Sequence, residues 1–177
     1  APARGEDADL GLVIVLDASL SMFFRGRGEE IFIGSGPRKM DLAKTAILEI
    51  VRSLRPGDRI GLIESKDELS WVHRLGPVAD RAGLEARVMG VKAYGGGINF
   101  YSSVREAAAA LRGDAAAIRH IMVLADANDI DQLEVESVGR SEELIRTMAA
   151  ERITLSIFAL GNPRDKDIAF LRHMTQL

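Results

Sequence analysis

Short apolar runs rich in β-branched residues alternate along this chain with longer stretches of helical period. Leu10 to Leu16, Arg59 to Ser65, His120 to Ala125 and Ile153 to Leu160 predict strands. "LGLVIVL" and "HIMVLA" are almost continuously apolar, as parallel strands covered on both faces are. Between the second and third runs, "ELSWVHRL" alternates Leu69, Trp71 and His73 with Ser70, Val72 and Arg74, which predicts an edge strand antiparallel to its neighbour. Helices are predicted at Met40 to Leu54, Arg81 to Val91, Tyr101 to Leu111, Glu142 to Arg152 and Asp165 to Thr175. In the first of these, Leu42, Ala46, Ile50 and Leu54 recur at every fourth position, and Ile47 and Val51 widen the stripe expected to face the core. The proline and glycine of "RPGD" end that helix. Strands alternating with helices in this way imply an α/β fold in three layers, a doubly wound, mostly parallel sheet with helices on both faces.

One stretch breaks the alternation. "FFRGRGEEIFIGSGPRK", Phe23 to Lys39, is glycine-rich and charged, and predicts a long loop or small hairpin, the kind of segment that carries function in compact domains. The 177 residues suffice for one domain with a substantial core. The chain lacks an initiating Met, opens on a polar stretch and stops inside a helical pattern, so residues 1–177 are expected to be a single domain excised from a longer protein. With 23 Lys and Arg against 26 Asp and Glu, the net charge of −3 gives no general attraction to nucleic acid or anionic lipid. The absence of cysteine excludes thiol catalysis, thiolate metal sites and disulfides. The longest apolar run is far shorter than the roughly 18 to 20 residues needed to cross a bilayer, so no membrane span is expected in this segment.

Ligands of open α/β sheets collect at the carboxyl ends of the strands. Three such places carry chemistry here: Asp17, Ser19 and Ser21 after the first strand; Gly95, Gly96 and Gly97 with Ile98 and Asn99 after "VKAY"; and Asp126, then Asn128 and Asp129, after "HIMVLA". Two carboxylates and two hydroxyls are hard oxygen donors suited to Mg²⁺, Mn²⁺ or Ca²⁺. Taken alone, Asp17 and Ser19 read as strand-end caps of the Asx and Ser-turn kind. The second carboxylate favours a cation, because two facing charges need one, or a shared proton, to avoid repulsion.

"LDASLS", "GGGIN" and "LADAND", in that order and spacing, resemble the three loops of a von Willebrand factor A domain, and "DLAKTAILEIVRSLRPGDRIGLI" and "ITLSIFALG" extend the resemblance over nearly the whole chain. The resemblance implies a Rossmann-type topology. It also implies a metal-ion-dependent adhesion site built from Asp-x-Ser-x-Ser, a Thr in the second loop and an Asp in the third. Asp17, Ser19, Ser21 and Asp126 match that motif, whereas the threonine position is Ile98. An apolar side chain gives a cation no oxygen, so the site reads as degenerate, with Asn99 or water as the substitute donor. The glycine loop is most similar to those of bacterial, membrane-associated members.

The implied function is a non-enzymatic, protein-binding module in which an acidic side chain from a partner completes the shell of Mg²⁺, or of Mn²⁺ or Ca²⁺. Phe23 and Phe24, directly after the first motif, are the candidate partner contacts, since exposed aromatics anchor interfaces. The competing expectations are a purely structural scaffold without metal and a Mg-dependent hydrolase using Asp17. The hydrolase lacks the second Asp of an Asp-x-Asp nucleophile motif, because that position is Ser19. Gly95 to Gly97 match neither phosphate-binding glycine pattern and read as a turn. His73, His120 and His173 lie in separate segments and are given no role; Asp129, Asp131, Glu134 and Glu136 read as a solvated acidic run.

Overall fold

The apolar run nearest the N-terminus becomes the middle of the sheet, because a strand with no polar face is satisfied only where neighbours cover both sides. A computed structural model describes residues 8–25, 36–126, 135–160 and 166–177. Its strands are β1 (Leu10–Asp17), β2 (Arg59–Ser65), β3 (Leu69–Pro77), β4 (Ile118–Ala125) and β5 (Ile153–Ala159), in the order β3-β2-β1-β4-β5. β1 pairs in parallel with β2 and β4, and β4 with β5; β3 is the antiparallel edge strand expected from its alternation. The chain leaves β1 towards β2 and β3, then returns to the other side for β4 and β5. A topological switch point therefore opens between the carboxyl ends of β1 and β4.

The helices are α1 (Lys39–Ser53), α2 (Arg81–Gly90), α3 (Phe100–Arg112), α4 (Val135–Ala150) and α5 (Lys166–Met174). Successive residues of β1 serve opposite faces. Leu12, Ile14 and Leu16 pack with Met40, Ala43, Ile47 and Val51 of α1 and Leu84 and Val88 of α2. Val13 and Val15 pack with Val104, Ala107, Ala108 and Leu111 of α3, Ile145 and Met148 of α4, and Leu171 and Met174 of α5. Among the described residues, no helix is long and apolar enough to cross a membrane.

The buried row of α1 differs from the predicted one. Met40, Ala43, Ile47 and Val51 are buried, while Leu42 is 47% exposed and Ala46 lies at the surface. The two rows are one residue, or about 100°, apart on the helix, and both are apolar enough to satisfy a four-residue period. Helix α4 begins at Val135, seven residues before its predicted start. The acidic run at Asp129, Asp131 and Glu134 lies outside the described residues, and so does most of the Phe23 to Lys39 stretch. The two ends of that stretch are joined by an antiparallel bridge between Arg25 and Arg38.

Strand β2 meets β3 through register shifts on both sides of Leu62, and Gly61 lies within this irregular stretch. A Cβ on Gly61 would stand 2.7 Å from the Trp71 ring and 3.2 Å from the Leu75 amide nitrogen, so only glycine admits the indole there. Trp71 Nε1 donates to Glu106 Oε1 of α3 at 2.9 Å, tying the edge strand to that helix. At the opposite end of the sheet from the switch point, buried Asp58 accepts from Leu10 N at 3.1 Å and Arg55 N at 2.7 Å, which fastens the start of β1 to the α1–β2 turn.

Candidate metal and partner site at the switch point

Asp17 ends β1 and Asp126 directly follows β4, so the parallel register of these strands delivers both carboxylates to the switch point. Backbone bonds hold the loop after β1 from either side: Ala18 N donates to Ser65 O at 2.8 Å, and Tyr94 N donates to Ala18 O at 2.9 Å. The chain then turns through a short 3-10 helix, Leu20–Phe23.

Within this frame the polar atoms form a chain. Ser19 N donates to Asp17 Oδ1 at 2.8 Å, and Asp126 N approaches Asp17 Oδ2 at 3.4 Å. The Ser19 and Ser21 hydroxyls are 2.8 Å apart, and Ser21 Oγ donates to Asp126 Oδ1 at 2.8 Å. Four of the five predicted metal ligands, Asp17, Ser19, Ser21 and Asp126, are thus brought together. Burial, and after it the charge of Asp126, push the Asp17 carboxyl from 3.8 up to about 7, against the lowering effect of the bonds from Ser19 and the Asp126 amide.

Asn99 has a different task. It is the N-cap of α3, and its Oδ1 accepts from Ser102 N at 3.2 Å. Ile98 is fully buried in the apolar cluster on the α3 side, with Val15, Ile63 and Phe100, so the second loop contributes hydrocarbon where the adhesion-site motif has threonine. The loop glycines form a turn: Gly95 has φ +87, a conformation suited to glycine, and Gly96 N donates to Asp67 Oδ1 at 2.8 Å.

Three residues of the site escaped the sequence reading. Lys39, the first residue of α1, places Nζ 2.9 Å from Asp126 Oδ2, with the lysine side chain 15% and the aspartate side chain 3% exposed. Ser65, at the end of β2, and Ser103 of α3 are both fully buried; their hydroxyls are 2.7 Å apart and Ser65 Oγ accepts from Asn99 N at 3.1 Å. The expected site for Lys39 was a loop end, and no local pattern marks a lysine that meets a carboxylate 87 positions away. Two carboxylates with two hydroxyls fit a small hard cation in donor type, though among the described residues no three His, Asp or Glu side chains gather around one point.

Phe23 is 43% exposed and meets Phe24 edge-on at 6.1 Å, while the Arg38 guanidinium lies 4.0 Å from the Phe23 ring centre. Phe24 is half-buried. Phe23 and Arg38 line a cavity of about 340 Å³ with Met40, Lys44 and Lys92. Leu20 and Tyr94, about half exposed, extend the apolar surface around the same loop. The three histidines lie elsewhere: His120 Nδ1 is 2.7 Å from Thr154 Oγ1, His173 Nε2 is 2.7 Å from Glu142 Oε1, and His73 Nε2 on β3 is buried without a hydrogen-bond partner among the described residues.

Solved structures of several unrelated kinds, from bacterial proteins to a mussel byssus matrix protein, share this fold. BatB from Bacteroides thetaiotaomicron superposes with TM-score 0.67 at 18% identity, covering 85% of this chain and 66% of that one. The PilB minor pilin from Streptococcus sanguinis gives 0.77 at 12% identity, covering 99% of this chain and 55% of the pilin. An aerotolerance-related membrane protein from Bacteroides fragilis gives 0.69 at 14% identity, covering 95% and 87%. The chain thus spans under two thirds of the first two. No curated protein sequence matches it significantly. The family model for the von Willebrand factor type A domain matches residues 12–128, a span that begins in β1 and runs through Asp126, and the chain belongs to that family.

Proposed function

We propose that this domain is a protein-binding module whose contact point is a divalent cation, Mg²⁺ or alternatively Mn²⁺ or Ca²⁺, held by Asp17, Ser19, Ser21 and Asp126. Domains of this family commonly serve adhesion and protein interaction and are usually non-catalytic. The observation that carries the proposal is the convergence of two carboxylates and two hydroxyls, within 2.8 Å steps of one another from Ser19 to Asp126, at the switch point of the sheet. Ligands of such folds gather there. A dication would neutralise both carboxylates and so offset the burial, and after it the charge of Asp126, that raise the Asp17 carboxyl. Asn99 is not among the proposed donors, because its oxygen caps α3.

The partner would present an acidic side chain to the cation and an apolar surface to Phe23, with Phe24 beneath it; Leu20 and Tyr94 widen the contact. The likeness to a minor pilin and to an aerotolerance-related membrane protein suits an adhesive role at a bacterial surface. A hydrolytic role for Asp17 gains no support: the carboxyl is buried and its oxygens face two backbone amides.

Thermal melting with and without millimolar Mg²⁺, Mn²⁺ or Ca²⁺ tests the reading. The parent protein should melt higher with metal, and Asp17→Ala should fold but lose that gain. Indifference to all three ions, in the parent and in a variant whose Lys39 is replaced by a neutral residue, would leave only a scaffold, and an Asp17→Ala protein that cannot fold would make "LDASLS" chiefly a strand-end cap.

A further inference from the structure

We infer that Lys39 is a tethered ammonium holding the cation position at Asp126, so that a divalent ion binds this domain only by exchange with the lysine side chain. The inference rests on the metal-site reading above and adds a control that the motif residues do not contain. Both oxygens of Asp126 are engaged, Oδ1 by the Ser21 hydroxyl at 2.8 Å and Oδ2 by Lys39 Nζ at 2.9 Å. The carboxylate side chain is 3% exposed and the lysine side chain 15%, so the pair is enclosed by protein and only weakly screened by salt. A single positive charge answers one of the two carboxylates, whereas a dication would answer both.

The backbone of Lys39 is anchored independently of its side chain. Lys39 N donates to Phe24 O at 3.1 Å, and the neighbouring Arg38 bridges to Arg25, so the backbone at the start of α1 is fastened beside the site. Among the described residues Lys39 Nζ has the Asp126 carboxylate as its hydrogen-bond acceptor. Exchange therefore requires a four-carbon side chain to swing out while α1 stays in place. Ile98 acts in the same direction: the second loop supplies no oxygen, so an entering ion gains less in compensation for displacing the lysine.

Calorimetric titration with Mg²⁺ and electron paramagnetic titration with Mn²⁺, on the parent protein and on Lys39→Met, Lys39→Gln and Lys39→Arg, tests the inference. Lys39→Met and Lys39→Gln should bind about ten-fold or more tighter than the parent, about 1.4 kcal/mol or more, and Lys39→Arg should stay near the parent. In metal-free buffer the two neutral variants should melt lower than the parent, and Mg²⁺ should restore them; far-UV circular dichroism identifies a variant that fails to fold, and the other neutral variant then decides. Metal binding of equal strength in the parent and the neutral variants would overturn the exchange while leaving the metal site standing. Weaker binding in both neutral variants would also overturn it. Absence of binding in all four proteins would overturn the metal reading and the exchange together.

Discussion

Replacing Asp17 by asparagine should stabilise the metal-free protein at alkaline pH and not at acid pH. The parent carboxyl is held near 7 by burial and by Asp126, against 3.8 in an exposed chain. Between those values the folded state binds more protons than the unfolded state, so stability falls as pH rises from about 4 to about 7 and levels off above. At about 1.36 kcal/mol per pH unit, the interval amounts to roughly 4 kcal/mol, an upper figure for a carboxyl coupled to a second one. Asparagine removes the charge but turns an NH₂ towards the Asp126 amide, where the parent oxygen sits 3.4 Å away, at a cost of about 1 kcal/mol. The net gain at pH 8 is then about 2 to 3 kcal/mol, or about 4 to 12 °C in Tm for a domain of this size. Melting both proteins in a chelator from pH 4 to 8.5 measures it. The difference between the curves isolates Asp17 from the other carboxylates. Curves that stay parallel across this window would refute the idea that Asp17 is forced to ionise in a buried site beside a second negative charge.

Ile98→Thr should tighten Mg²⁺ binding by about 1 to 2 kcal/mol in calorimetry while lowering metal-free stability by about 1 to 2 kcal/mol, since it sets a hydroxyl in a fully buried apolar cluster; equal affinity in both proteins would disprove the assignment of Ile98 to the threonine position. Asp58→Ala should cost about 1 to 3 kcal/mol in denaturant unfolding, because two amides lose their acceptor, with Mg²⁺ binding unchanged. Gly61→Ala should destabilise by about 1 to 3 kcal/mol by forcing the Trp71 ring away from β2, and a neutral result in the same assay would mean that the indole moves aside freely.

What could be read in advance follows burial. Strands β1, β2, β4 and β5 fall within two residues of their predicted bounds, since strands covered on both faces announce themselves as apolar runs, and β3 shows its exposed face as alternation. Asp17, Ser19 and Ser21 were legible as neighbours because they stand two positions apart at one strand end, whereas Asp126, 105 positions from Ser21, was placed with them by the resemblance of the loops to a known family and not by local spacing. The buried side of α1 was legible at Ile47, Val51 and Leu54 but not at Leu42 and Ala46, since apolar residues occupy adjacent rows and only the neighbouring β1 and α2 choose between them. Nor was the early start of α4, where "VESVGRSE" carries little apolar periodicity. Lys39 and Ser65 act through partners brought close by the sheet, 87 and 38 positions away, and a single chain holds no signal for such pairs.

Trp71 is the only tryptophan in the chain, and it is clamped to α3 through Glu106, two turns from the N-cap Asn99 whose backbone is held by Ser65 beside the switch point. Its fluorescence is consequently a strain gauge for α3. A ligand that acts only on the Asp17 and Asp126 loops would leave the emission unaltered, whereas one that draws the start of α3 along its axis would pull on the indole at the far edge of the sheet. The molecule therefore carries an unlabelled optical readout that separates local capture from a long-range response.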